Sequence, residues 1–319
     1  MSTYIEEFET INKGYNSTFK VNKLSLGLVV PLENYSNTAI PSMNNQLERI
    51  LLAEQLGFSS IWLRDIPFNV PSFGDVGQMF DPFTYLGFLA AKTSKIALGV
   101  GSIILPLRHP AHIAKAAASI DVLSNGRLIL GVASGDRPEE YPALNKDYAN
   151  RGEIFRESFK YIKEVWENYP SLDNSFGNLY GGIDMLPKPT VNKVPMLITG
   201  ASQQDSKWLA QNGQGWITYP RDPIYQARFI DTCRSQVKEL DGVNKPISQS
   251  LYIDLVDDDD AKPKPIHLGY RCGTKYLLEH LKTLEAIGIN HVALNLRFNQ
   301  ANIEKTLNKL AENILVEFK

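Results

Sequence analysis

The sequence predicts a (β/α)8 TIM barrel. Short apolar runs alternate with longer amphipathic segments along nearly all of the 319 residues. The runs are apolar throughout, as in parallel strands buried on both faces, whereas a half-solvated strand alternates. The strand–helix units number eight, the count at which right-handed crossovers close a sheet into a barrel. An open doubly wound sheet is the alternative, and it requires a reversal of strand order that one sequence does not display.

Residues 1–22 lack an apolar period and read as an N-terminal arm, leaving 23–319 as a single barrel domain. Residues 24–30 form the first strand, stopped by Pro31. Leu47, Ile50, Leu51 and Ala53 mark the helix that follows, and Gly57 ends it. Residues 59–63 are the second strand, leading through a Pro/Gly-rich loop to Asp81. Helix 82–92 precedes strand 96–104, and an alanine-rich helix 110–123 precedes strand 127–133. A loop with Gly135, Pro138 and Pro142 leads to helix 150–168, where Phe155, Phe159, Ile162 and Trp166 fall on one stripe. Residues 169–194 read as an insertion with one short hairpin. Strand 195–199, helix 203–211, strand 215–218, helix 222–240 and strand 247–254 resume the alternation. The acidic run 257–260 is a solvated loop, and helix 270–286, strand 291–296 and helix 301–317 close the chain. The loops after the first, second, fourth and seventh strands are long or glycine-rich, so chemistry is sought there.

A net charge of -2 offers no long-range attraction to nucleic acid or an anionic membrane. The longest apolar stretch, 96–107, falls short of the ~20 residues that span a bilayer. The acidic, polar N-terminus is no secretory signal, and Cys233 and Cys272 read as reduced structural thiols, so a cytoplasmic protein is expected. His109 and His112 lie three apart without a third ligand, and no metal is expected. The G-x-S-x-G elbow is missing. Gly99-Val100-Gly101-Ser102 is no dinucleotide fingerprint, because the segment continues as strand. No catalytic acid or base stands out.

The most informative stretch is 95–145, KIALGVGSIILPLRHPAHIAKAAASIDVLSNGRLILGVASGDRPEEYPALN. Its pieces, G-x-G-x-x-x-L-P-x-R-H-P, then D-x-L-S-x-G-R-L-x-L-G-V-x-S-G, then R-P-E-E-Y, occur in order, and 197–216 (LITGASQQDSKWLAQNGQGW) continues the series. In this it resembles the bacterial-luciferase-like flavin-dependent monooxygenases, over about residues 24–298. The resemblance implies reduced FMN as cosubstrate, bound at the C-terminal ends of the strands. It also implies a non-prolyl cis bond between Gly101 and Ser102 against the flavin ring; glycines that merely permit close packing are the alternative. Ser134 matches a position beside the ribityl chain or phosphate, and Gly200, Ala201, Ser202 and Gln203 match a phosphate seat.

Arg151, in the first turn of its helix, opposes the helix dipole and calls for an anion nearby. Glu153 is the local partner; the resemblance offers the FMN phosphate. Ser202 with Asp205 also reads as a capping box variant, and Asp205 stands where the family often carries a hydroxyl. Ile66 and Pro67 replace the histidine pair of luciferase, so light emission from a long-chain aldehyde is not expected. Arg64 and Asp65 are candidates for substrate contact or for an ion pair that shapes their loop. The expected function is an FMN-dependent monooxygenase acting on a small organic substrate, fed by a flavin reductase or by free reduced flavin, and forming a homodimer. The alternatives are a deazaflavin-dependent hydride-transfer oxidoreductase and a non-enzymatic flavin-binding protein. Residues 169–194 and the loop near Asp257 are the candidate lids.

Overall fold

A computed structural model describes residues 4–318. Eight parallel strands form the barrel: β1 Ser25–Val29, β2 Ser60–Leu63, β3 Ala97–Ile104, β4 Leu128–Ala133, β5 Met196–Thr199, β6 Gly215–Thr218, β7 Ile247–Leu255 and β8 His291–Asn295. Each pairs with its neighbours in chain order. Ile247 of β7 opposite Trp216 of β6, and His291 of β8 opposite Ser25 of β1, close the ring. Almost every strand residue is buried, which is why the strands read as continuous apolar runs. The ladder between β3 and β4 shifts register between Val100 and Ile103, and the Gly101–Ser102 peptide within that step is cis.

The outer helices are α1 Gln46–Leu56, α2 Pro82–Lys92, α3 Pro110–Leu123, α4 Arg151–Val165, α5 Ser206–Gln211, α6 Pro223–Glu239, α7 Thr274–Ala286 and α8 Ile303–Asn313. The motif D-x-L-S-x-G-R joins several of these elements. The buried Arg127 guanidinium donates to the carbonyls of Ala90, Thr93, Ile96 and Ser124 and to the Thr93 hydroxyl, at 2.7–3.0 Å. It thereby satisfies carbonyls at the end of α2 that have no helical partner. Asp121 accepts from the Asn12 amide (2.8 Å) and from the Thr190 N–H (2.9 Å) and hydroxyl (2.7 Å).

Residues 4–24 sit against the base of the barrel. Strand Ile5–Phe8 pairs with Val243–Asn244, and the short helix Lys13–Thr18 is capped by Asn12, which accepts from the Tyr15 N–H. Tyr15 and Phe19 pack with the inward-facing Val29, Trp62, Ala97, Ile129, Leu197 and Ala293.

Residues 169–194 contain the expected hairpin, Ser171–Asn174 with Gly177–Tyr180. Several boundaries differ from the sequence reading, among them the end of the helix expected to 168, which is Val165. The helix expected from 203 begins at Ser206, because Asp205 alone is its cap and accepts from the Trp208 N–H. Residues 270–272, expected to open a helix, instead belong to the strand Gly269–Cys272, which runs parallel to the outer half of β7. Gly269 permits this, since a Cβ there would lie 1.8 Å from the Tyr252 carbonyl oxygen. The last helix stops at Asn313, with a 3-10 turn at Leu315–Phe318 after it.

Candidate active site

A cavity of about 450 Å³ opens at the C-terminal ends of the strands. Its floor is a closed hydrogen-bond network. The Trp62 indole N–H donates to His291 Nε2 at 2.9 Å, and His291 Nδ1 lies 2.7 Å from Ser25 Oγ. Indole nitrogen only donates, and Trp62 shares its proton with Ser60 Oγ at 2.8 Å, which itself lies 3.0 Å from Nε2. Ser25 Oγ passes its own proton to the Thr18 carbonyl at 2.6 Å. Burial pushes the His291 pKa down to about 3, and the ring is neutral at physiological pH.

Above this floor stand Gly101 and Ser102, with the Ser102 hydroxyl hydrogen-bonded to that of Thr199. One flank is the turn after β5. Gly200, Ser202 and Gln203 have φ of 55, 45 and 61°, so the chain curls in the left-handed region. The Gly200 N–H donates to the Ile217 carbonyl and that of Gln204 to the Ala201 carbonyl, whereas the amides of Ala201, Ser202 and Gln203 between them donate to no acceptor among the described residues. Successive amides in such a curl form an anion-binding concavity. Asp205 is turned into its own cap, away from these amides. Ser202 Oγ donates to the Thr199 carbonyl (2.8 Å), so it shapes the curl and does not cap α5.

The first turn of α4 meets this curl. Gln204 Nε2 donates to the Gly152 carbonyl (2.8 Å), and a Cβ on Gly152 would lie 2.7 Å from that of Gln203. Arg151 stacks on Tyr148, with its guanidinium carbon 3.8 Å from the ring centroid, and donates to the Tyr148 carbonyl at 2.9 Å. Its Nε is buried without a partner, and no ion pair joins it to Glu153. Of the ten residues singled out in the sequence, nine line the cavity: Gly101, Ser102, Ser134, Gly200, Ala201, Ser202, Gln203, Arg64 and Asp65. Arg151 stands just behind the wall.

The mouth is charged. Arg64 and Asp65 form ion pairs, but not with each other. Arg64 binds both oxygens of Asp75 (2.9 and 3.1 Å), and Arg297 shares one of them (2.9 Å). Burial pushes the Asp75 carboxyl up, but the two guanidinia and the Gly77 N–H overcome it and hold it below the usual carboxylate range. Asp65 takes Arg108 at 2.7 Å, and Arg108 also reaches Asp81 at 3.0 Å. Glu140, which sequence reasoning passed over, lies buried in the wall beside this cluster. Its place in R-P-E-E-Y was the available signal. Neither candidate lid lines the cavity. Residues 169–194 pack on α3 and α4 through Phe176 and Lys188, and the acidic loop is tied to Lys275 and Lys309. Leu268, between the short strands 264–266 and 269–272, does reach the mouth.

His109 caps α3 by accepting from the Ala111 N–H. Among the described residues, no three His, Cys, Asp or Glu side chains gather as metal ligands, and no helix is long and apolar enough to cross a membrane.

Known proteins share this architecture. The chain is 25% identical over 239 residues to the alkanal monooxygenase alpha chain of Photorhabdus luminescens, covering 73% of this chain and 63% of that one. It is 29% identical over 222 residues to an F420-dependent glucose-6-phosphate dehydrogenase of Amycolatopsis mediterranei, covering 67% and 65%. The matched regions thus span just under two thirds of these relatives. Among solved structures, the FMN complex of the oxygenating constituent of 3,6-diketocamphane monooxygenase from Pseudomonas putida superposes with a TM-score of 0.73 at 13% identity, over 92% of this chain and 98% of that one. At that identity the likeness is one of fold. A model of the luciferase-like monooxygenases matches residues 24–261, and the chain belongs to that family.

Proposed function

We propose that this chain is a monooxygenase that uses reduced FMN and dioxygen to oxidise a small organic substrate. The observation that carries the reading is the anion seat at the cavity's flank: three consecutive amides without acceptors, at Ala201, Ser202 and Gln203, next to Arg151 with its buried, unpartnered Nε. A phosphate satisfies both, since backbone amides and a guanidinium are its usual partners. Gly152 packs on Gln203 with no room for a side chain between them, which favours a cofactor that ends in its phosphate over one that continues beyond it.

In this reading Gly101, Ser102 and Ser134 line the path from the seat to the flavin ring. When bound in its reduced form, FMN supplies the electrons that activate dioxygen, and the protein supplies placement and dryness. The chain's own residues do the rest. The His291–Trp62–Ser25 network gives a rigid, neutral floor. Arg64 and Asp65, fixed by Asp75 and Arg108, shape the mouth that admits substrate. The reduced cofactor arrives free or from a separate flavin reductase.

An anaerobic titration with reduced FMN and, separately, reduced deazaflavin tests this, each complex then being mixed with oxygenated buffer. Binding of reduced FMN followed by oxygen-dependent reoxidation is expected. Binding of deazaflavin alone, with no oxygen reaction, would replace the monooxygenase with a hydride-transfer enzyme.

A further inference from the structure

Two carboxyl groups of the cavity wall, Asp136 and Glu140, enter no ion pair among the described residues; Asp136 is exposed and Glu140 is the buried one. Glu140 opens the one-turn helix Glu140–Ala143, against the loop that follows β2, and is 3% exposed. Its Oε1 is buried without a hydrogen-bond partner. The charged groups that face it are Asp136 and Arg137 from its own loop and Asp65 from the loop after β2, and the Phe68 N–H also reaches it. Arg137 is the attractive one, but it is turned aside: it donates to the Asp75 carbonyl at 3.3 Å and lies over Phe73, 4.6 Å from the ring centroid. Asp65 is committed to Arg108. Burial pushes the Glu140 carboxyl up to about 7; Arg137 pulls against this, while Asp65 and Asp136 add to it. The other wall groups are placed otherwise. His291 is neutral within its network, and burial pushes the Tyr252 phenol further up.

We propose that Glu140 is the proton-exchanging residue of this cavity, delivering a proton to the oxygen atom that departs as water during substrate oxidation. The destination of that proton rests on the monooxygenase reading; the titration of the carboxyl does not. Inserting one atom of dioxygen into an organic substrate, with reduced flavin as the two-electron donor, leaves the second atom to depart as water. That oxygen gains an O–H bond as the Glu140 O–H bond breaks, and the carboxylate is reprotonated from solvent at the mouth. An acid that titrates near the working pH serves both halves of this cycle.

The test begins with infrared difference spectra of the cofactor-free chain from about pH 5 to about pH 9. A protonated-carboxyl band should disappear with a midpoint near 7. The band should be missing in Glu140→Gln and should titrate at lower pH in Asp136→Asn, which removes a repulsive neighbour and keeps the test open if the first variant does not fold. With reduced FMN bound, reoxidation by dioxygen should bend at the same midpoint in the parent chain and be flat in Glu140→Gln. Identical infrared titrations in the parent and in Glu140→Gln would overturn the assignment. A bend that persists in Glu140→Gln would assign the proton to another group. Failure to bind reduced FMN would remove the proton's destination together with the monooxygenase reading, while the infrared result would still stand or fall by itself.

Discussion

Replacing Arg151 with alanine separates anion binding from folding. Among the described residues the guanidinium has two such contacts, the Tyr148 ring and the Tyr148 carbonyl, and its Nε has none. A cation–π contact contributes about 0.5–1 kcal/mol when exposed and about 2 kcal/mol when desolvated, and Arg151 is half-buried, so the fold should lose about 1–2 kcal/mol. A charge-assisted hydrogen bond contributes about 1.5–3 kcal/mol, and at 1.4 kcal/mol per decade the FMN dissociation constant should rise about 10- to 150-fold. Riboflavin, which lacks the phosphate, is the control. Isothermal titration of both flavins against both proteins forms a cycle in which the loss should fall on FMN alone. Equal losses for FMN and riboflavin, or unchanged FMN affinity, would refute the assignment of Arg151 to the phosphate.

Arg127→Ala removes five hydrogen bonds from a buried cation. Counting only two of them at the charged-bond value gives a loss of at least about 3 kcal/mol, measurable by urea denaturation, with flavin affinity spared in whatever fraction stays folded. His291 carries a pH dependence: its folded pKa of about 3 lies below the unfolded 6.5, so the unfolded chain binds the extra proton. That stability is complete above pH 6.5 and is lost at about 1.4 kcal/mol per unit as pH falls toward the folded value. Glu140 works in the opposite direction, since its raised pKa weakens the fold as pH climbs from 4.5 toward 7. The difference in urea midpoint between the parent and His291→Gln, followed with pH, isolates the histidine, and a pH-independent difference would contradict its neutrality. Burial pushes Cys233 and Cys272 up to about 11, so alkylation should be slow in the native chain at neutral pH and rapid after denaturation; fast native labelling would show that the region opens.

The barrel was legible because its determinants are local. Continuous apolar runs, a glycine after α1 and the 155–159–162–166 stripe each declare an element without knowledge of its neighbours. The same locality explains the misplaced start of α5. Ser202 and Gln203 adopt positive φ, which neither residue advertises, and the curl exists because β5, β6 and α4 hold it through Ile217 and Gly152. Motif strength was also a poor guide to chemistry. Asp121 and Arg127 carry much of the family signal, yet they brace helix ends and the N-terminal segment far from the cavity wall. Glu140 sits in an equally visible motif, but its proton affinity comes first from burial that only the closed barrel creates, and then from Asp65, which belongs to another strand's loop. Asp75 likewise joins Arg64 to Arg297 across most of the chain. Which carboxylates of the mouth stay charged is thus a property of pairings between distant loops. The chemistry of this site should therefore respond to substitutions such as Asp136→Asn that touch neither the cofactor seat nor the barrel's core.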